Sequence, residues 1–419
     1  IVRGIGNVLT GPGLVLAFGV FAKLFANALK FAKNSLKDVL GIVTAKDKER
    51  QIQESIVLAM ENNKEFRGWL NALNLDHPLV IAGPCSAETE EQVLKIAHEL
   101  KDTDVNYYRA GIWKPRTRPG NFEGVGALGL KWLQKVKAET GLKTATEVAN
   151  RAHVELALEH DIDLLWIGAR STVSPFIVQE IADALNGTDK IVLVKNPVNP
   201  DLALWLGAVE RLATASIKNL GVIHRGFSSY EKTKYRNTPG WQMAIELQTK
   251  FPDLPLINDP SHITGDRDMI FDVSQTALDL NFDGLMIETH YDPDNAWSDA
   301  AQQVTPASLI QIMKDLKIRK ETTPEADYND QLQNLRAQID VMDNQLLETL
   351  GKRMKVAEGI GLLKKQKNVA VLQSKRWNEI LGKMVLEGEQ YNLSEEFILK
   401  LFKAVHQESI NHQEKILNN

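Results

Sequence analysis

One cysteine, Cys85, stands in a chain of 419 residues. A lone thiol cannot close an intrachain disulfide, so no disulfide framework supports the fold, and a cytoplasmic setting is expected. Positive charge is not in excess. The formal net charge of -5 argues against nucleic-acid binding through the field of the whole molecule, while leaving room for a local basic pocket. No glycine-rich dinucleotide fingerprint follows the first apolar strand. The uncharged run 4–22 approaches the roughly 20 residues that a membrane span needs. It is broken by Gly11-Pro12-Gly13, so a membrane role is not expected from it. No small-residue cleavage site separates it from the globular part, as a signal peptide would require.

What is present is ordinary for a globular protein: 43% hydrophobic and 25% charged residues, with length for two or three domains. Residues 1–65 form an apolar N-terminal segment dotted with Lys23, Lys30, Lys33 and Lys37. It reads as an amphipathic helix of native or foreign origin, and it resembles stretches of phage tail tape-measure proteins. From Pro78 onward, short apolar runs alternate with helix-period stretches such as 90–100 and 127–140. The strand candidates are 79–83, 106–112, 142–148, 164–169, 191–196, 221–226, 255–260 and 284–290. Continuous apolar runs are what strands buried on both faces require. Strand and helix repeated in this way predict a (β/α)8 barrel over 66–318, with a doubly wound open sheet as the alternative.

Residues 319–330 are charged, contain Pro324 and are poor in apolar side chains, which predicts a linker. Beyond it, Leu332, Leu335, Ile339, Met342, Leu346, Leu350 and Val356 mark one long amphipathic helix. Helical patterns at 374–388 and 394–417 follow, so 331–419 is expected to be an all-α domain of three helices. A long helix with an unpartnered stripe predicts a homodimer formed through these helices.

In such a barrel, chemistry sits at the C-terminal ends of the strands. Those ends carry Cys85, Arg109, Lys114, Arg116, Glu147, Arg170, Lys195, Arg225, Asp259, His262 and Glu288. The cations would repel one another unless they surround a strong anion, and phosphate or carboxylate is the natural guest. Cys85, His262, Glu288 and Asp299 offer a thiolate, an imidazole and two carboxylates, a donor set suited to a divalent metal. In "KPRTRPGNFEG", proline fixes a turn on which Lys114, Arg116 and Thr117 present donors. In the helical part, Arg353 and Lys364 lie roughly three turns apart on one face, able to grip a ligand with two carboxylates. Arg336 lies about 100° around the helix from Arg353, where it could serve only a second copy's site. Ser409 and Gln413 share a face of the last helix, and Arg376 opens the helix before it.

The motifs "GPCS", "RAGIWKPRTRP", "TEV", "GAR", "VKNP", "HRG", "DPSH" and "IETH", in this order, resemble the series of the 3-deoxy-D-arabino-heptulosonate 7-phosphate synthases, in the short form without barrel decorations. The resemblance covers about 66–318. It implies a divalent ion, Mn2+ being expected, on Cys85, His262, Glu288 and Asp299. It implies phosphoenolpyruvate on Arg109, Lys114, Arg170, Lys195 and Arg225, and erythrose 4-phosphate on Arg116 and Thr117. Lys114 is then a proton donor and Glu147 positions water. Gly120-Asn121 and the residues after Arg170 depart from the family's usual pattern. The related 3-deoxy-octulosonate 8-phosphate synthases, which use arabinose 5-phosphate, are the alternative, with the helical domain then a dimerising ligand sensor. Residues 331–417 resemble the all-α chorismate mutases. That implies a chorismate site on Arg336, Arg353, Arg376 and Ser409, with Lys364 and Gln413 stabilising charge on the ether oxygen. Gln373 and Trp377 stand where Asp and Glu are usual, leaving open which group holds the substrate hydroxyl. The shared chain suggests feedback by prephenate on the barrel.

Overall fold

The computed structural model describes residues 66–418 except 116–119, 121, 231 and 321. The readings made on 1–65, Arg116 and Thr117 therefore lie outside the described residues. The chain divides into two compact units at Arg319/Lys320.

Unit one is a closed barrel of eight parallel strands, each hydrogen-bonded to the next and the last to the first. A short helix α1 (Gly68–Asn71) precedes β1 (Leu79–Gly83). Then come α2 (Glu90–Leu100), β2 (Tyr107–Arg109), α3 (Leu128–Thr140), β3 (Lys143–Val148), α4 (Arg151–Glu159) and β4 (Leu164–Ile167). They are followed by α5 (Ala169–Thr172), α6 (Pro175–Leu185), β5 (Ile191–Lys195), α7 (Leu202–Thr214), β6 (Leu220–His224), α8 (Trp241–Lys250) and β7 (Leu256–Asn258). The unit finishes with α9 (Pro260–Thr264), α10 (Ile270–Asp279), β8 (Gly284–Glu288) and α11 (Pro306–Asp315). The eight expected strands are all present, and the barrel expectation is borne out over the open sheet.

Both faces of the strands are buried, which is why their sequences read as unbroken apolar runs. Leu79, Ile81, Tyr107, Leu164, Trp166, Leu193, Ile223 and Met286 form one core cluster, the barrel interior. Alternate residues such as Val80, Ala82, Tyr108 and Leu165 belong to a second, between strands and helices. Trp69 on α1 joins the interior cluster and donates its indole N–H to the Leu220 carbonyl at 2.9 Å. Side-chain caps start several helices: Thr89 accepts from the Gln92 N–H at 3.0 Å and Asn150 from that of His153 at 2.8 Å. The turn leaving β1 needs a glycine, because at Gly83 (φ +145°) a Cβ would lie 2.1 Å from the Arg109 carbonyl oxygen.

Unit two is α12 (Ala326–Lys367), α13 (Ser374–Gln390) and α14 (Glu395–Asn418). Helix α12 begins at Ala326, inside the stretch expected to be a linker. Its C-terminal half packs on α14 through Met354, Ala357 and Gly361, whose missing Cβ lets the Gln413 backbone approach. Its N-terminal half leaves Leu335, Ile339, Met342 and Leu346 each more than half exposed. Among the described residues no helix is long and apolar enough to cross a membrane.

Candidate active sites

Cys85 follows the β1 turn and is wholly buried. Its backbone N–H donates to Gln303 Oε1 at 3.0 Å, and its carbonyl accepts from Arg109 Nη2 at 3.2 Å and Lys114 Nζ at 3.0 Å. These bonds leave Sγ 3.0 Å from Lys114 Nζ and 3.2 Å from Asp299 Oδ2. Glu288 ends β8, the neighbour of β1, and its Oε2 accepts from Gln302 Nε2 at 2.7 Å. Asp299 precedes a single 3-10 turn with left-handed backbone (φ 48°), and its Oδ1 accepts from Arg236 Nη1 at 2.9 Å. Donor atoms of Cys85, Glu288 and Asp299 all lie within 4.8 Å of one another. The fourth expected ligand, His262, is in the first turn of α9, with its Nε2 3.8 Å from Glu288 Oε1.

The imidazole is aimed by Asp259. One carboxylate caps the His262 N–H at 3.1 Å, accepts from His262 Nδ1 at 3.0 Å and pairs with Lys195 Nζ at 2.7 Å. An ionised carboxylate only accepts, so the proton belongs on Nδ1 and the Nε2 lone pair faces Glu288.

The donors fit a divalent ion. Among the described residues Glu288 Oε1 is buried without a hydrogen bond, and faces Arg109 Nη1 at 3.2 Å and His262 Nε2 at 3.8 Å. A buried carboxylate oxygen met by an ion pair but by no aligned donor keeps lone-pair capacity for a further cation. Burial first, and then the Glu288 carboxylate, push the Cys85 thiol up to about 12, against the pull of Lys114. Burial would also raise the carboxyls of Glu288 and Asp299, but surrounding cations outweigh it and hold both low: His262, Arg109 and Lys114 for Glu288, and Arg236, His262 and Lys114 for Asp299.

Beside these donors opens a cavity of about 240 Å³ lined by Lys114, Glu147, Arg170, Lys195, Arg225 and Arg236. Arg225 is steered by Asn237 Oδ1, 2.7 Å from its Nη1. Burial, with Arg236 and Arg170 as like-charged neighbours, brings the Arg225 guanidinium down to about 10 despite Asp259. A guanidinium so crowded by other cations would be stabilised by an anion beside it. Beneath it, Trp166 faces Arg109 at 5.0 Å and donates to Glu147 Oε2 at 2.9 Å. Gly168 makes room for that carboxylate, since a Cβ there would lie 2.2 Å from Glu147 Oε1. A larger hollow of about 430 Å³ lies between α6 and α7, lined mainly by apolar atoms of residues such as Val178, Leu204 and Ala208. It lacks the convergent cations of the barrel mouth.

In the helical unit, Arg353 Nη1 donates to Ser409 Oγ, and Lys364 Nζ donates to Gln413 Oε1 at 3.0 Å. Four expected residues are thus brought together on α12 and α14. Arg376 is turned to solvent, where it pairs with Glu379 at 3.4 Å, and Arg336 is exposed on the N-terminal half of α12. The structure does not bring these two arginines to the cluster. The Trp377 and His406 rings, on α13 and α14, stack 3.9 Å apart, 12° from parallel.

Sequence reasoning gave no role to Arg236, Gln302, Gln303, Trp166 or His406, and Asp259 entered it only as a strand-end residue. Trp166 was within reach, because alternation along β4 places it on the barrel interior. The loop residues carry no periodic signal.

The sequence profile of the DAHP synthetase I family matches residues 72–325, and that of chorismate mutase type II matches 335–414. A "Phospho-2-dehydro-3-deoxyheptonate aldolase" of Thermotoga maritima is 31% identical over 238 residues, 57% of this chain and 68% of that protein. A crystal structure under that name from the same organism matches with a TM-score of 0.53 at 28% identity, over 57% of this chain and 68% of that one. A "2-dehydro-3-deoxyphosphooctonate aldolase" of Syntrophotalea carbinolica is 28% identical over 265 residues, 58% of this chain and 90% of that protein. The chain belongs to the DAHP synthetase I family and carries a chorismate mutase type II domain behind the barrel.

Proposed function

We propose a bifunctional shikimate-pathway enzyme working in the cytoplasm. Its barrel condenses phosphoenolpyruvate with erythrose 4-phosphate, and its helical domain converts chorismate to prephenate. The observation that carries the first activity is the crowded cation set beside a metal-type donor cluster. In the barrel, C3 of phosphoenolpyruvate bonds to the aldehyde carbon, the aldehyde oxygen takes a proton, water adds at C2 and phosphate leaves. Arg109, Lys114, Arg170, Lys195 and Arg225 hold the phosphoenolpyruvate carboxylate and phosphate by charge-assisted hydrogen bonds. Arg116 and Thr117 hold erythrose 4-phosphate. Lys114 Nζ delivers the proton, and Glu147 orients the water. A divalent ion on Cys85, His262, Glu288 and Asp299, proposed to be Mn2+, would supply Lewis acidity at the aldehyde.

In the helical domain the reaction needs no covalent step. Arg353 and Ser409, with Arg376 and an Arg336 from a second copy, fix the two carboxylates in a compact conformer. Lys364 and Gln413 meet the charge growing on the ether oxygen. Sharing a site across two copies requires a homodimer, which the exposed stripe on α12 would form. Prephenate is proposed as the feedback ligand, and saturating prephenate should then slow the synthase.

The test is phosphoenolpyruvate loss with erythrose 4-phosphate, measured after EDTA and again after Mn2+. Loss that stops and returns supports the reading. Turnover indifferent to EDTA overturns the metal role. The octonate relative keeps arabinose 5-phosphate as a second candidate, and preference for that aldose in direct competition would reassign the sugar.

A further inference from the structure

The helical site is rich in donors and short of acceptors. Arg353 and Lys364 only donate. Ser409 Oγ already accepts from Arg353 and gives its own proton to the Val405 carbonyl at 2.8 Å. Gln413 Oε1 is engaged by Lys364, and its Nε2 donates to the Ser409 carbonyl at 3.3 Å. Such a set suits two carboxylates and an ether oxygen, all of which accept. Chorismate also carries a ring hydroxyl, whose O–H needs an acceptor once water is gone.

We infer that His406 supplies that acceptor and is the specificity-determining residue of the helical site, with Trp377 fixing its plane. The inference rests on the mutase reading above. His406 lies three residues before Ser409 and seven before Gln413 on α14, so all three share a face. Its half-buried ring lies flat on Trp377 at 3.9 Å, a contact made by the ring face, which leaves the in-plane nitrogens outside the stack. Among the described residues no hydrogen bond occupies either nitrogen. Partial burial, then Arg353 and Lys364, lower its pKa, so at neutral pH one nitrogen is bare. A stacked aromatic pair thus does the work of a fixed acceptor without adding a negative charge beside two substrate carboxylates.

The experiment compares the full-length chain with His406→Phe, which keeps the stack and removes both nitrogens, and with His406→Gln, which restores an acceptor oxygen. The substrates are chorismate and its analogue with the ring hydroxyl replaced by hydrogen. The expected result is a loss of about tenfold in kcat/KM for His406→Phe on chorismate, as for one missing hydrogen bond. Partial recovery is expected in His406→Gln, and no difference among the three proteins on the deoxy analogue. Equal loss on both substrates would assign His406 to packing alone and overturn the inference, as would no loss on either. Absence of chorismate turnover by the unaltered chain would overturn the mutase reading and, with it, this inference.

Discussion

Asp259→Asn probes both halves of the barrel site through one atom. Asp259 is wholly buried and serves the His262 cap, the His262 ring and the Lys195 ammonium. Asparagine keeps one acceptor oxygen, enough for the cap and the ring, which share Oδ1. It removes the charge opposite Lys195, whose side chain is only 5% exposed. Breaking a buried pair from one side costs about 3–5 kcal/mol, because the remaining ion stays desolvated. For a barrel of this size that corresponds to a fall of roughly 10 °C in thermal midpoint. Losing the carboxylate that orients a ligating histidine costs about 10–100-fold in metal affinity. Mn2+ binding followed by electron paramagnetic resonance of the free ion, beside a thermal melt, reads both effects. The mutase rate, set by residues of the other unit, is the internal control. Mn2+ affinity within about twofold of the parent and an unshifted melt would refute the linkage drawn here between Lys195 and His262.

Three further outcomes are expected. EDTA should abolish the synthase rate and leave the mutase rate unchanged in the same sample, because the metal-type cluster and the mutase residues lie in different units. Gly168→Ala should lower synthase kcat/KM more than stability, since its Cβ must displace a Glu147 carboxylate tied to Trp166; equal kinetics would remove Glu147 from the reaction. Burial brings His224 down from 6.5 to about 4, against its bond to the Pro239 carbonyl. The unfolded chain therefore takes up a proton near pH 6.5 that the folded one refuses until about 4, so stability should fall by about 3 kcal/mol as pH drops through that window. A denaturation series in which His224→Gln keeps the same slope would refute this.

Sequence pattern revealed the strands because both of their faces are buried, yet it placed the ends of most of them, though not of β1 and β3, too far along. The run 106–112 narrows to Tyr107–Arg109, since Ala110 and Ile112 beyond the ladder are as buried as the strand itself. The candidate donor set was legible as chemistry-bearing residue types at or shortly beyond strand ends, with Asp299 in the loop after β8. Its supports were not: Arg236, Gln302 and Gln303 act from loops, where neither period nor composition distinguishes a buried amide from a solvated one. Arg376 was legible as a cation at a helix start, while its surface pair with Glu379 was not.

The metal-type cluster also lies on the seam of the barrel. Gly83, just before Cys85, pairs with Glu288 where the first strand meets the last, and 214 residues separate Cys85 from Asp299. A ribosome delivers this chain from its N-terminus, so a nascent barrel emerged through α9 owns Cys85 and His262 but neither carboxylate. Contacts of such long sequence separation form late, after the entropy of closing the ring has been met. If the cluster holds the proposed divalent ion, its capture reports that the last strand has docked, and supply of that ion during synthesis would bear on how much of the enzyme matures as well as on how fast it turns over.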